Sequence, residues 1–88
     1  MADIYNGVVT AQWVDASTLA TFGDGDYLIQ NQGSDFLVAA VADSAPEGTE
    51  GTLIPNLMQA HYKAGDGSLY LRAFSRQCLI NISEAAAE

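Results

Sequence analysis

Apolar and polar positions along this chain alternate with a period of two, in short runs separated by turn-forming residues. That is the pattern of strands rather than helices. It is densest from Tyr27 to Ala42. In the first half, Tyr27, Ile29 and Asn31 fall on one face and Leu28 and Gln30 on the other. Gln32-Gly33-Ser34 then reads as a turn, so the spacing predicts a hairpin whose second strand is Asp35 to Ala42. That second run differs in kind: Phe36, Val38, Ala40 and Ala42 alternate with Leu37, Ala39 and Val41, so both faces are apolar. A half-solvated antiparallel strand alternates apolar with polar, so this one is expected to be covered on both sides.

The rest of the chain follows the same grammar. Residues 1–7 show no period and read as an N-terminal arm, followed by a strand from Val8 to Val14 with Val9, Ala11 and Trp13 on its inner face. Trp13 reads as a core anchor. Asp15 to Thr21 is either one helical turn capped by Asp15 or Ser17, or a loop leading into a strand. Phe22-Gly23-Asp24-Gly25-Asp26 is a turn, and residues 43–51, acidic and rich in glycine and proline formers of turns, predict an exposed loop. Thr52-Leu53-Ile54 is a strand that Pro55 ends or confines to a sheet edge. Leu57 to Ala64 continues as a strand with Met58, Ala60, Tyr62 and Ala64 on one side, and Gly65-Asp66-Gly67-Ser68 predicts a second hairpin. Leu69, Leu71 and Ala73 then share one face and Tyr70, Arg72 and Phe74 the other; after Ser75-Arg76-Gln77, the residues Cys78, Ile80 and Ile82 face the core. Residues 84–88 read as a frayed tail. Six or seven antiparallel strands at spacings of about ten residues make a small β-sandwich or barrel in a single domain.

Composition narrows what such a domain does. The 88 residues carry three basic side chains, Lys63, Arg72 and Arg76, against eleven acids, for a formal net charge of −8. Nucleic acid and anionic membrane both need a basic track, so neither is an expected partner. The first residues lack a basic n-region and an apolar h-region, and no run approaches the length of a membrane span, so the chain is expected to remain soluble in the cytoplasm where it is made. Cys78 is the single cysteine, which excludes an internal disulfide. A chain this short buries a thin core, and a partner subunit is the remaining source of stability.

Candidate chemistry is sparse, and no cofactor is expected. His61 is the single histidine, and nothing in the sequence places Cys78 or a serine beside it for nucleophilic catalysis. Asp24 and Asp26 are weak candidates for a hard-cation site, since Asp-Gly-Asp provides fewer ligands than a calcium loop needs. Trp13, Tyr62 and Tyr70 are the rings a carbohydrate- or receptor-binding module would use. An enzyme is not expected.

The second apolar face of residues 36–42 needs cover, either from the 43–51 loop or the arm, or from another copy or a larger partner. The candidate contact residues are Tyr70, Arg72 and Phe74 on one strand face, Arg76 beside them, Phe36, and Ile4 and Tyr5 in the arm. Tyr27-x-Ile29-Gln30-Asn31-x-Gly33, Ser44-x-Pro46, Gly51-Thr52-Leu53-Ile54-Pro55, Leu69-Tyr70-x-Arg72-Ala73 and Ile80-x-Ile82 occur in an order that resembles small β-rich virion proteins of tailed bacteriophages, of the capsid decoration or adhesion kind. That resemblance implies a homo-oligomer, a trimer in the first instance, placed on the virion surface and reinforcing joints of the major capsid protein.

Overall fold

A computed structural model describes residues 3–23, 25–48, 50–64 and 67–85. Among the described residues eight strands are present: β1 (Asp3–Thr10), β2 (Val14–Asp15), β3 (Asp26–Asn31), β4 (Leu37–Ala42), β5 (Thr52–Ile54), β6 (Gln59–Lys63), β7 (Ser68–Ala73) and β8 (Gln77–Glu84). They form two four-stranded antiparallel sheets, ordered β1-β8-β3-β6 and β2-β7-β4-β5. The layers pack face to face in the manner of a sandwich and do not close into a barrel. The count exceeds the expected six or seven because the strand expected from Val8 to Val14 is divided into β1 and β2.

The alternation predicted the core faces well. Tyr27, Ile29 and Asn31 of β3, Leu69, Leu71 and Ala73 of β7, and Cys78, Ile80 and Ile82 of β8 are all buried. Together with Val9, Leu37, Ala39, Ile54 and Tyr62 they fill the space between the sheets. Each fully buried aliphatic side chain here contributes roughly 1.5–3 kcal/mol relative to exposure. Asp15 caps a short 3-10 helix (Ala16–Thr18), its carboxylate accepting from the Ser17 N–H at 3.0 Å.

Pairing departs from expectation in several places. Residues 3–7 are not an arm: they form the first part of β1, which pairs along β8 from Asp3 opposite Ser83 to Thr10 opposite Gln77. Ile4 and Tyr5 are consequently packed against the core. Their backbone groups find partners in β8, a gain no local period reveals. At the other terminus, Glu84 closes β8 and the Ala85 N–H donates to Asp26 O, so the tail begins later than expected; residues 86–88 lie outside the described residues.

Neither predicted hairpin forms. β3 belongs to the first sheet and β4 to the second, and β6 and β7 are divided in the same way, with residues 65 and 66 of that connection outside the described residues. Of strands consecutive in sequence, β4 and β5 pair, Leu37 opposite Ile54 and Ala39 opposite Thr52. β5 is an edge strand, as Pro55 implied.

The physical reason for the β3–β4 crossing lies at Asn31 and Gly33. Asn31 is fully buried, and its side chain reaches across the sheets: Nδ2 donates to Asp35 O and Ile54 O, each at 2.7 Å, and Oδ1 accepts from the Gly33 N–H at 2.8 Å. Gly33 lies so close to β8 that a Cβ there would sit 2.7 Å from the Leu79 nitrogen. These contacts turn the chain out of the first sheet instead of folding it back along β3.

Candidate interaction surface

The outward face of the second sheet carries most of the side chains proposed for contact. Register places Val38 opposite Arg72 and Ala40 opposite Tyr70, with Leu53 opposite Val38 on the edge strand. Phe36 and Phe74 continue this face just beyond the strand ends. Their backbones are joined by Phe74 N–H donating to Phe36 O at 2.8 Å, and their rings meet edge to face with centroids 6.2 Å apart. Both rings remain 42–45% exposed, as does Leu53 at 49%.

Arg72 is held by its own chain. Its Nε donates to Ala73 O at 2.9 Å, Nη1 to Gly48 O at 2.9 Å and Nη2 to Phe74 O at 3.4 Å. The guanidinium lies over the Trp13 ring, 5.9 Å from its centroid, a contact worth about 0.5–1 kcal/mol at an exposed site. Trp13 Nε1 donates to the same Gly48 carbonyl at 2.9 Å. Trp13 is therefore not a core anchor. It is half-buried on the outside of the second sheet, where the indole N–H finds a loop carbonyl that the apolar interior does not offer.

The same loop answers the question of cover. Val38 has no exposed surface although it faces away from the inter-sheet core, and Gly51 approaches it so closely that a Cβ would lie 3.0 Å from Val38 Cγ1. The middle of the two-faced strand is thus covered from within the chain. What is left for a partner is the rim formed by Phe36, Phe74 and Leu53. Tyr70 is half-buried between Asp15 and Ala40.

Arg76 stands apart, at the end of the sandwich where the β3–β4 and β7–β8 connections meet. There the Asp35 carboxylate accepts from the N–H groups of Phe36, Ser75 and Arg76 at 2.8–2.9 Å and from the Ser75 hydroxyl at 3.1 Å. Partial burial opposes ionisation of Asp35, and the donors from Arg76, Ser75 and Phe36 outweigh it, so its pKa lies below the ordinary value. Ser34, Asp35, Ser75, Arg76 and Gln77 line a polar depression of about 680 Å³. The carboxylate in it is already occupied by four donors of its own chain, an arrangement that builds a turn.

The remaining candidates are not brought together. His61 Nε2 lies 3.0 Å from Asp26 Oδ1 on the solvent face of the first sheet, whereas Cys78 is buried on the core face, its thiol donating to Asn31 Oδ1 at 2.8 Å. Burial pushes the Cys78 thiol pKa up. Asp24 lies outside the described residues, and no cluster of three metal-ligating side chains occurs among the described residues. Of the three rings proposed for sugar stacking, Trp13 is engaged by Arg72, and Tyr62 is buried with its hydroxyl donating to Gly67 O at 2.7 Å.

Asn31 and Asp35 were missed as organising residues. A signal was present: Asn31 is the one polar residue on the face shared by Tyr27 and Ile29, and a polar group at a core position must find partners. Leu53 was missed because its three-residue strand is too short to show a face. No helix among the described residues is long and apolar enough to cross a membrane. No family model matches the chain, and neither the curated proteins nor the solved structures contain a match.

Proposed function

We propose that this protein is a structural subunit that adds buried interface to a larger assembly, in the manner of a capsid decoration protein on a virion surface. The observation that carries the reading is the exposed Phe36–Phe74 ring pair beside Leu53, on a sheet face stiffened by Arg72, Trp13 and the 43–51 loop. Aromatic side chains on a rigid frame bury large area at little entropic cost, which is what a stabilising contact requires. The resemblance of the motif order supplies the setting, with the major capsid protein as partner and a homo-oligomer, a trimer in the first instance, as the docking form. An acidic surface keeps such a subunit soluble before assembly.

The test compares heads of the corresponding phage assembled with the protein, without it, and with Phe36→Ser/Phe74→Ser. The wild-type protein cosediments with heads and raises the temperature at which they rupture, and the double variant does neither. Equal binding by the double variant, or equal heat resistance of heads lacking the protein, overturns the reading.

A further inference from the structure

Two exposed phenylalanine rings make a defined contact surface when something fixes how they are presented, because a free ring has to be ordered at the moment of binding. Phe36 and Phe74 lie just outside β4 and β7, where the ladder between these strands ends at Leu37 opposite Ala73. Past that point the Phe74 N–H donates to Phe36 O, and the two segments part: one arrives from β3 and the other leaves for β8, both strands of the other sheet.

The Asp35 carboxylate joins them again. Its Oδ1 accepts from the Phe36 N–H at 2.8 Å and from the Ser75 hydroxyl at 3.1 Å, and its Oδ2 accepts from the N–H groups of Ser75 and Arg76, each at 2.9 Å. One group thus grips the residue that carries the first ring and the two residues that follow the second. Asp35 is itself anchored from the interior, since its carbonyl accepts from Nδ2 of the fully buried Asn31 at 2.7 Å. The chemistry of the position is exacting. Three of the four donors are main-chain N–H groups that cannot turn away, so the group receiving them needs two oxygens and no hydrogen. An asparagine of the same shape sets an NH2 group against N–H donors.

We propose that Asp35 is the positioning residue of the contact surface: by clamping the backbone beside both rings, it presents Phe36 and Phe74 to the partner as one rigid unit. The inference rests on the reading of this ring pair as the docking surface and adds the group that makes the surface competent. Clamping the rings beforehand lowers the ordering cost of docking, so loss of the clamp weakens binding although both rings remain.

The test compares the isotopically labelled full chain with Asp35→Asn by NMR at neutral pH, and both with Phe36→Ser/Phe74→Ser in cosedimentation with phage heads. Wild type should show NOEs between the two rings. Asp35→Asn should keep the cross-strand NOEs of Val9 with Cys78 and of Ala39 with Leu71, lose those between the rings, and exchange the Ser75 and Arg76 amides about tenfold or more faster. Its affinity for heads should fall about tenfold or more. If circular dichroism shows Asp35→Asn to be unfolded, Asp35→Ser takes its place, because a serine hydroxyl still accepts from the Phe36 N–H of its own segment and is too short to hold the β7–β8 connection. Unchanged ring NOEs overturn the proposal, as does faster exchange spread evenly over all strands, which would make Asp35 a general support of the fold. Loss of the ring NOEs with undiminished binding to heads overturns it too. Binding by Phe36→Ser/Phe74→Ser equal to wild type instead overturns the docking reading, and the NMR comparison then still decides whether Asp35 orients the rings.

Discussion

The end of the sandwich around Asn31 and the open lip between β5 and β6 are made of the same backbone groups and use them in opposite ways. At the first, three connections cross between the sheets, and Asn31 and Asp35 absorb their stray donors and acceptors. Even the Asn31 backbone is engaged, its N–H with Met58 O at 3.0 Å and its C=O with Leu57 N–H at 2.7 Å, and the Asn56 side chain donates to Gly33 O. At the second, β6 ends its sheet, and the outward groups of Gln59, His61 and Lys63, with those of Val41 past the end of β5, have no paired strand among the described residues. A buried polar group without a partner costs about 1–3 kcal/mol, whereas one facing solvent costs nothing of the kind. The interior end must be specified residue by residue, and the lip stays available.

Asn31→Leu is the sharpest way to break this comparison. It removes the side-chain partner of Asp35 O, Ile54 O and the Gly33 N–H together and leaves the Cys78 thiol only its longer contacts to Asp35 O and Leu79 O, and urea melting should show a loss of roughly 3–5 kcal/mol. Gln59→Leu at the lip should stay within about 0.5 kcal/mol of wild type. Equal costs would mean that the two regions do not differ as argued. Gly33→Ala follows in size: its Cβ meets backbone of β8, which cannot move aside as a side chain can, and about 1–3 kcal/mol is expected by the same measurement.

The pH dependence distinguishes the donors at Asp35 from the burial at Cys78. Asp35 ionises more readily folded than unfolded, so its contribution is present above the unfolded value of about 3.9 and is lost as pH falls through the lower folded value. Cys78 behaves oppositely. Its thiol is harder to ionise when folded, so that contribution is complete below the unfolded value of about 8.5 and is lost as pH rises toward the folded one. Asp35→Ala should flatten the acid limb of a stability–pH curve and leave the alkaline limb, and Cys78→Ala should do the reverse.

The smallest effect is expected at Leu57, which holds φ +67° in the connection between β5 and β6 while 65% exposed. Its N–H must point at Asn31 O, and a left-handed backbone costs a non-glycine residue about 1–2 kcal/mol. Leu57→Gly should therefore raise the urea midpoint, by an amount worth roughly 0.5–1 kcal/mol once the added freedom of the unfolded chain is subtracted. No change would indicate that the Asn31 end imposes less strain than its geometry implies.

Much of the fold was legible because alternation is a local property. The faces of β3, β7 and β8 could be assigned from the residues alone, whereas the cap at Asp15 and the edge position of β5 were each one of the alternatives the residues left open. Of the contact surface, Phe36 and Phe74 were legible as candidate contact residues, while their positions just beyond the ends of β4 and β7 and the meeting of their rings were not. Arg72 was legible as a residue, but its bond to the Gly48 carbonyl was not, since that group comes from a loop twenty-four residues away that nothing local connects to it. Ile4 and Tyr5 were misplaced for a related reason: β1 has little period of its own and is held by a partner strand more than seventy residues away.

By itself, then, the sequence determined that this is an all-β chain, where most strands lie, and which side of each faces the core, because a pleated strand repeats every two residues whatever it pairs with. Tertiary structure alone decided that consecutive strands cross between sheets instead of forming hairpins, that Val38 is covered by the chain's own loop, and that β6 is left as an open edge. Those outcomes depend on where each backbone donor and acceptor finds its partner across the whole domain. A hairpin strand and a crossing strand alternate identically, and what separates them here is a buried asparagine that bonds both sheets and a glycine pressed against a third strand.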